Sequence, residues 1–141
     1  MTRSTHSRAE RKVIRLGKPW EDSVHFSLGV VHAGRTLHTA GITARDDHGE
    51  VVGVGDVKAQ TRQCFLNLGD ILRAAGARWE DVVKFTLFTT DIERFHKETL
   101  ELRAPYFRGN PAATLIEVPR LIDPRMLVEI EAIVSLPEME E

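Results

Sequence analysis

Three glutamates near the C-terminal end of the sequence have a spacing that could support acid–base chemistry. Glu117 ends the stretch TLIE, and Glu129 and Glu131 lie in the apolar stretch LVEIEAIV. Because successive side chains of a strand point to opposite faces, Glu129 and Glu131 are expected on one face. If the two strands pair, the carboxylates gather around a cleft in which one could act as a general acid or base. The alternative is a solvated sheet face on which Arg120 or Arg125 forms ion pairs with the glutamates.

The other residues with chemical potential carry weaker patterns. His25, His32 and His38 follow none of the usual zinc-ligand spacings, so no metal site is predicted. His38 interrupts a short apolar strand, either as a hydrogen-bonded core or interface residue or as a proton carrier in a cleft. Cys64 falls on the apolar side of a predicted helix, where we expect a small buried side chain and no nucleophile.

The composition is that of one globular domain. The 141 residues are 42% hydrophobic and 28% charged, with a net charge of −2, which gives no electrostatic reason to expect nucleic acid or an anionic membrane as partner. No apolar run approaches the ~20 residues that a membrane span needs. A single cysteine excludes an intrachain disulfide, so a reducing, cytoplasmic location is expected. We expect a flexible tail at residues 1–12, a single domain at 13–136 and an acidic tail at 137–141.

The elements that must position the glutamates alternate as strands and helices. Apolar residues at three- and four-residue steps predict a helix over residues 57–75, with Asp56 as N-cap and Gly76 at its end. A second helix is predicted from Asp91 to residue 106. Strands are predicted at residues 12–16, 23–31, 35–40, 82–89, 114–118 and 127–136. This order predicts an α+β fold with two helices packed on one face of a mixed sheet.

The last predicted strand has two different faces. Its apolar face, which we expect beneath the helices, consists of Val128, Ile130, Ala132 and Val134. The other face holds Glu129 and Glu131 between Leu127 and Ile133. Because isolated carboxylates are not buried without a partner, this mixed face must meet water or another subunit.

Three long stretches carry a family likeness. They read GRTLHTAG, DVKAQTRQCFLNLGDILRAAGARWEDVVKFTLFTTDIERF and NPAATLIEVPRLIDPRMLVEIEAIV. All three resemble one family. The first resembles its G-x-x-[IV]-x-[TS]-[SA]-G strand, and the second its central helix with the glycine turn and strand. The third resembles its C-terminal signature. That family is the RidA (YjgF-type) reactive-intermediate deaminases, also called endoribonuclease L-PSP-like proteins. The likeness covers residues 24–134.

The resemblance implies a chorismate mutase-like fold of the bacillus type, assembled as a homotrimer with a central β-barrel and clefts between subunits. It assigns Glu129 to the cleft glutamate that positions the hydrolytic water, and it leaves Glu131 a structural role. Thr114 matches a small hydroxyl residue. The family's early cleft tyrosine falls near Phe26 or Ser27, neither of which matches it. With Glu129 as the catalytic residue, the predicted substrate-binding residues are Ala113, Thr114, Phe26, Ser27, Glu117 and Arg120.

One departure from the family pattern affects the chemistry. The related deaminases carry an arginine directly after the Pro-Ala pair, where it binds the carboxylate of a 2-imino acid; here that residue is Ala113. A cysteine often found two places later is Leu115. Alanine cannot form the bidentate, charge-assisted bond of a guanidinium. Activity on simple 2-imino acids is therefore expected to be weak or absent, unless Arg108 or Arg120 binds the carboxylate instead.

These observations predict a protein that binds a small metabolite in intersubunit clefts and hydrolyses an enamine or imine to a carbonyl compound and ammonia. The alternative is a non-catalytic metabolite-binding or regulatory protein of the same fold. A nuclease or translation inhibitor is a third interpretation, which the slightly acidic composition and the lack of a basic aromatic pattern disfavour. No cofactor, nucleic acid or membrane partner is expected.

Overall fold

The computed structural model describes residues 10–138, so residues 1–9 and 139–141, and with them most of the two predicted tails, lie outside the described range. The strands are β1 (Arg11–Ile14), β2 (Gly29–His32), β3 (Thr36–His38), β4 (Ile42–Thr43), β5 (Val82–Thr89), β6 (Ala112–Glu117) and β7 (Val128–Ser135). The helices are α1 (Val57–Ala74) and α2 (Ile92–Arg103), and short 3-10 turns occupy Pro19–Ser23, Trp79–Asp81 and Ala104–Tyr106. No helix of the described range is long and apolar enough to span a membrane.

The main sheet is built around β7. This strand runs antiparallel to β3, β4 and β5, and β5 pairs in parallel with β6 on its other side. A parallel pair needs a crossover connection, which α2 provides between β5 and β6. The strands β1 and β2 form a separate antiparallel pair. The predicted α+β fold with a mixed sheet is therefore confirmed.

Both helices begin after an aspartate that caps them. Asp56 and Asp91 each accept a hydrogen bond from the backbone N–H three residues later, at 3.0 and 3.1 Å, which satisfies one free N–H group at each helix start. The helix α1 agrees with the prediction to within one residue. The helix α2 ends at Arg103 instead of residue 106, because Pro105 has no backbone N–H to continue the hydrogen-bond ladder.

The helices cover one face of the main sheet and enclose the core. Four residues of β7, each at most 2% exposed, form the apolar face that the sequence predicts: Val128, Ile130, Ala132 and Val134. Cys64 on α1 is buried against this strand, as predicted. Its burial, together with the nearby charge of Glu129, raises the pKa of the thiol to about 12. Cys64 therefore stays protonated at neutral pH and is not a nucleophile.

The region before β2 differs from the prediction. The sequence predicts a strand over residues 23–31, but β2 spans only Gly29–His32. The 3-10 turn at Pro19–Ser23 precedes this segment and overlaps the predicted strand only at Ser23; buried Glu21 organises the turn, because its carboxylate accepts the backbone N–H of Lys18 at 2.6 Å. The strand β4 was not predicted either, since two residues are too few to show a periodic pattern.

Candidate functional site

The register of the central strands places the predicted site residues on opposite faces of the sheet. Ala113 pairs with Phe85 and faces the helices, and the next residue, Thr114, points to the opposite face. Glu129 pairs with Phe88, three positions from Phe85, so it lies on the same face as Thr114. We call this the open face, the side of the main sheet turned away from α1 and α2.

The carboxylate of Glu129 lies directly over Gly41, in the link between β3 and β4. A Cβ atom at position 41 would collide with Oε2 of Glu129, so the glycine leaves room for the carboxylate. Among residues 10–138, no group donates a hydrogen bond to this carboxylate. The alternative ion pairs with Arg120 or Arg125 are not formed in that range, and Arg125 pairs with Asp123 at 2.8 Å. Glu129 is therefore available to a ligand.

A second polar group on the open face joins β5 to β6. Lys84 Nζ donates a hydrogen bond to Thr114 Oγ1 at 2.7 Å. Glu131 lies on the same face, because it and Thr114 are both register partners of Thr86. The sequence analysis missed Lys84, although a lysine inside the otherwise apolar start of a strand could have drawn attention to it. The open face thus carries a cation, a hydroxyl and two carboxylates.

A cavity of about 460 Å³ lies on the other face of β6, between the sheet and α2. Two of the predicted site residues, Phe26 and Ala113, line it. Further walls come from the apolar side chains of Leu87, Phe107 and Leu115. A concave apolar site of this size fits a small organic ligand.

Arg103, at the end of α2, is the charged residue of this cavity. The residue is only 8% exposed, and its guanidinium lies over the ring of Phe95, 4.8 Å from the centroid. Nε donates to Thr99 Oγ1 at 2.9 Å, and Nη2 lies 3.4 Å from His96 Nδ1. Burial lowers the pKa of Arg103 to about 10, so the side chain remains a cation at neutral pH. Sequence reasoning missed it, although its spacing places it on the buried stripe of α2 with Phe95 and Thr99.

Three other predicted residues are engaged with the backbone of the chain itself. Ser27 is buried, and its Oγ donates to the carbonyl oxygen of Gly29 at 3.1 Å. Glu117 accepts the backbone N–H of Ile92 at 2.9 Å, at the start of α2. Arg120 donates to the carbonyl oxygens of the two residues that follow it, at 3.0 and 3.1 Å. Substrate contacts of these side chains stay a prediction.

The predicted histidines lie apart from one another. His25 lines the cavity, His38 lies on β3 with an exposed side chain, and Nδ1 of His32 is buried without a hydrogen-bond partner in the described range. Between residues 10 and 138, no three His, Cys, Asp or Glu side chains come close enough to hold a metal ion.

Comparisons with known proteins identify the class. The fold is similar to the crystal structure of a Rid-family protein, YyfB, from Yersinia pestis, with a TM-score of 0.81 and 34% identity over 89% of this chain and 98% of that one. The chain is 35% identical over 125 residues to the 2-iminobutanoate/2-iminopropanoate deaminase of Rattus norvegicus, covering 87% of this chain and 88% of the relative. It is 43% identical over 106 residues to RutC family protein PH0854 of Pyrococcus horikoshii, covering 73% of this chain and 81% of the relative.

Two helices on a mixed sheet, together with the likeness to the Yersinia pestis structure, define a protein of the Rid class with the chorismate mutase-like fold. The sequence model named Endoribonuclease L-PSP matches residues 19–136. The chain therefore belongs to the endoribonuclease L-PSP family, as its sequence motifs indicate.

Proposed function

We propose that this protein binds a small metabolite in clefts between the subunits of a homotrimer and hydrolyses an enamine or imine to a carbonyl compound and ammonia. The observation that carries the proposal is the Glu129 carboxylate, which lies over Gly41 and accepts no hydrogen bond from residues 10–138. Such a carboxylate can take a proton from water as a general base. The deaminase name of the rat relative supports this reaction class.

In the proposed reaction, water attacks the carbon of the protonated C=N bond while Glu129 removes one proton of the water, which gives a neutral carbinolamine. The proton then passes from Glu129 to the amino nitrogen. Glu129 takes the hydroxyl proton as the C–N bond breaks, the carbonyl compound leaves, and ammonia carries this proton away as ammonium. An enamine follows the same route after its tautomerisation to the imine. The reaction transfers no electrons to or from an external acceptor, so the chemistry requires no cofactor.

Thr114 and Lys84 are placed to bind the polar part of the substrate. Because Lys84 Nζ donates a hydrogen bond to Thr114 Oγ1, the hydroxyl hydrogen of Thr114 remains available to a substrate acceptor. The lysine charge also favours negative charge that develops beside the hydroxyl.

The proposed homotrimer accounts for the separation of the site residues. In one chain, Glu129 and Thr114 lie on the open face, whereas Ala113 and Phe26 line the cavity on the opposite face. A cleft that uses both sets takes Glu129 from one subunit and the cavity from a neighbour. The partly exposed Ile133 beside the open-face carboxylates supports burial of this face by another chain.

Ala113 favours a second candidate, a non-catalytic metabolite-binding or regulatory protein. The position holds no charged group, whereas the related deaminases place their carboxylate-binding arginine there. A chain without this arginine could retain the cleft for binding alone.

Ammonia release from a panel of imines and enamines distinguishes the two candidates. If the protein is a deaminase, we expect at least one larger imine to be hydrolysed at least about 100-fold faster than in buffer, and 2-iminobutanoate little faster than in buffer. Binding of panel members without ammonia release from any of them would contradict the hydrolytic proposal and favour the binding protein.

A further inference from the structure

We infer that Arg103 is the anion-binding residue of the cavity beside Ala113, and that this cavity takes a small monocarboxylate with an apolar body. The inference rests on the proposed function in one respect, since it names the ligand class of the same cleft. It does not require that the ligand be hydrolysed.

The first support is a buried cation without an anionic partner. Arg103 is 8% exposed, and no carboxylate lies within ion-pair distance of it among residues 10–138. Its polar neighbours are the Thr99 hydroxyl, which accepts a hydrogen bond from Nε, and the His96 ring, whose Nδ1 lies 3.4 Å from Nη2; neither is a carboxylate. A guanidinium has five N–H donors, so donors remain for a ligand. Buried charges are normally compensated, which makes an anion the expected occupant.

The second support is the position of Arg103 relative to Ala113. Both residues line the cavity, Ala113 from strand β6 and Arg103 from helix α2. Ala113 contributes only a small side chain to the sheet side of the cavity, and Arg103 lines the side contributed by α2. Arg103 can therefore form the bidentate bond to a carboxylate that alanine cannot form. Arg108 and Arg120 do not line this cavity, and both donate to nearby backbone carbonyls instead.

The walls of the cavity define the rest of the ligand. The part of a ligand that extends away from the guanidinium would contact the apolar side chains of Leu87, Phe107 and Leu115. A second carboxylate placed against these side chains would lose its hydration without gaining a partner. Along these three side chains, a ligand with one negative charge and an apolar body is therefore preferred; Ser23, His25 and His96 add polar groups elsewhere in the lining. The volume of about 460 Å³ accommodates a body larger than that of a short-chain 2-imino acid.

Calorimetric titration with hexanoate, with its neutral isostere hexanamide and with the dicarboxylate adipate tests the inference. We expect the wild-type protein to bind hexanoate at least about tenfold more tightly than either hexanamide or adipate. Arg103→Met should weaken hexanoate binding by at least about tenfold, whereas the matched control Arg108→Met should leave it unchanged. Equal affinity for acid and amide, no binding of hexanoate, or full affinity in Arg103→Met would overturn the inference.

Two further measurements keep the test decisive. If Arg103→Met does not fold, the ¹⁵Nε resonance of Arg103 in the wild-type protein should shift with hexanoate and not with hexanamide; the absence of a hexanoate shift would overturn the inference. Ammonia release and hexanoate affinity are both measured on the wild-type protein, and hexanoate contains no C=N bond that could be hydrolysed. A failure of hydrolysis alone would thus leave hexanoate binding in place, and the two proposals fail separately.

Discussion

Glu129 and Glu131 form a matched pair of side chains, since both lie on the open face of β7 and only Glu129 lies over Gly41. Glu129→Gln keeps the shape of the side chain and removes its basic oxygen, so ammonia release should fall by at least about 100-fold. Glu131→Gln should change the rate by less than about tenfold. Steady-state ammonia assays give both values. Equal losses from the two substitutions, accompanied by dissociation of the assembly, would defeat the catalytic role of Glu129.

Substitution of Gly41 tests whether the position of the Glu129 carboxylate matters for activity. In Gly41→Ala the new methyl group collides with Glu129 Oε2, which is the end of a flexible side chain and can move away. The free energy of unfolding should therefore change by less than about 1 kcal/mol, while ammonia release falls at least about tenfold. Gly29→Ala is the control, because its Cβ would meet only Ile14 atoms at 3.9 Å. Unchanged activity in Gly41→Ala would show that the carboxylate position is not critical.

At the scale of the elements, Gln60 holds the start of β7 in place. This fully buried side chain of α1 donates to the carbonyl oxygen of Arg125 at 2.8 Å and accepts the backbone N–H of Leu127 at 2.7 Å. Gln60→Leu removes both hydrogen bonds from these backbone groups, so the free energy of unfolding should fall by about 1–3 kcal/mol in urea denaturation.

The control for Gln60 is Gln63→Leu on the same helix. Among residues 10–138, the side chain of Gln63 bonds only that of Asn67, at 2.9 Å, so its replacement should cost less than about 1 kcal/mol. Equal losses of stability in the two variants would show that Gln60 does not anchor β7 in the way described.

The elements differ in how far their sequences predict them. Both helices were predictable, because Asp56 and Asp91 cap stretches with a clear helical period. The two faces of β7 were predictable from alternation alone. The strand expected at residues 23–31 forms only in its last part, because Ser27 and Leu28 donate to two separate places, the carbonyl oxygens of Pro111 and Ile14.

The site was less predictable than the fold, for a physical reason. Carboxylates in an apolar strand are visible in the sequence and mark Glu129 and Glu131 alike; the family resemblance separates Glu129 from Glu131. Gly41 and Lys84 matter only through register with distant strands. The spacing of Arg103 places it on the buried stripe of α2, but its position at a cavity and its lack of an acidic neighbour in the described range leave no signal in the sequence.

In the whole assembly, the proposed function requires that subunits share their clefts. The proposed trimer should show a light-scattering mass of about three times 15.9 kDa at micromolar concentration. A mass near that of one chain would rule out any cleft between subunits. Mass alone, however, does not show which residues meet across the interface.

Mixing of subunits that carry complementary substitutions tests whether each cleft is shared between two subunits. The wild-type chain supplies Glu129 without an arginine at position 113, and the double variant Ala113→Arg/Glu129→Gln supplies the arginine without the carboxylate. The single variant Ala113→Arg has both groups, and its 2-iminobutanoate hydrolysis sets the reference rate. We expect co-expressed wild-type and double-variant chains to form mixed assemblies that release ammonia from 2-iminobutanoate faster than either parent, because some clefts join Glu129 of one chain to Arg at position 113 of its neighbour. A rate no higher than the mean of the two parents, with an active Ala113→Arg reference, would contradict a cleft shared between subunits.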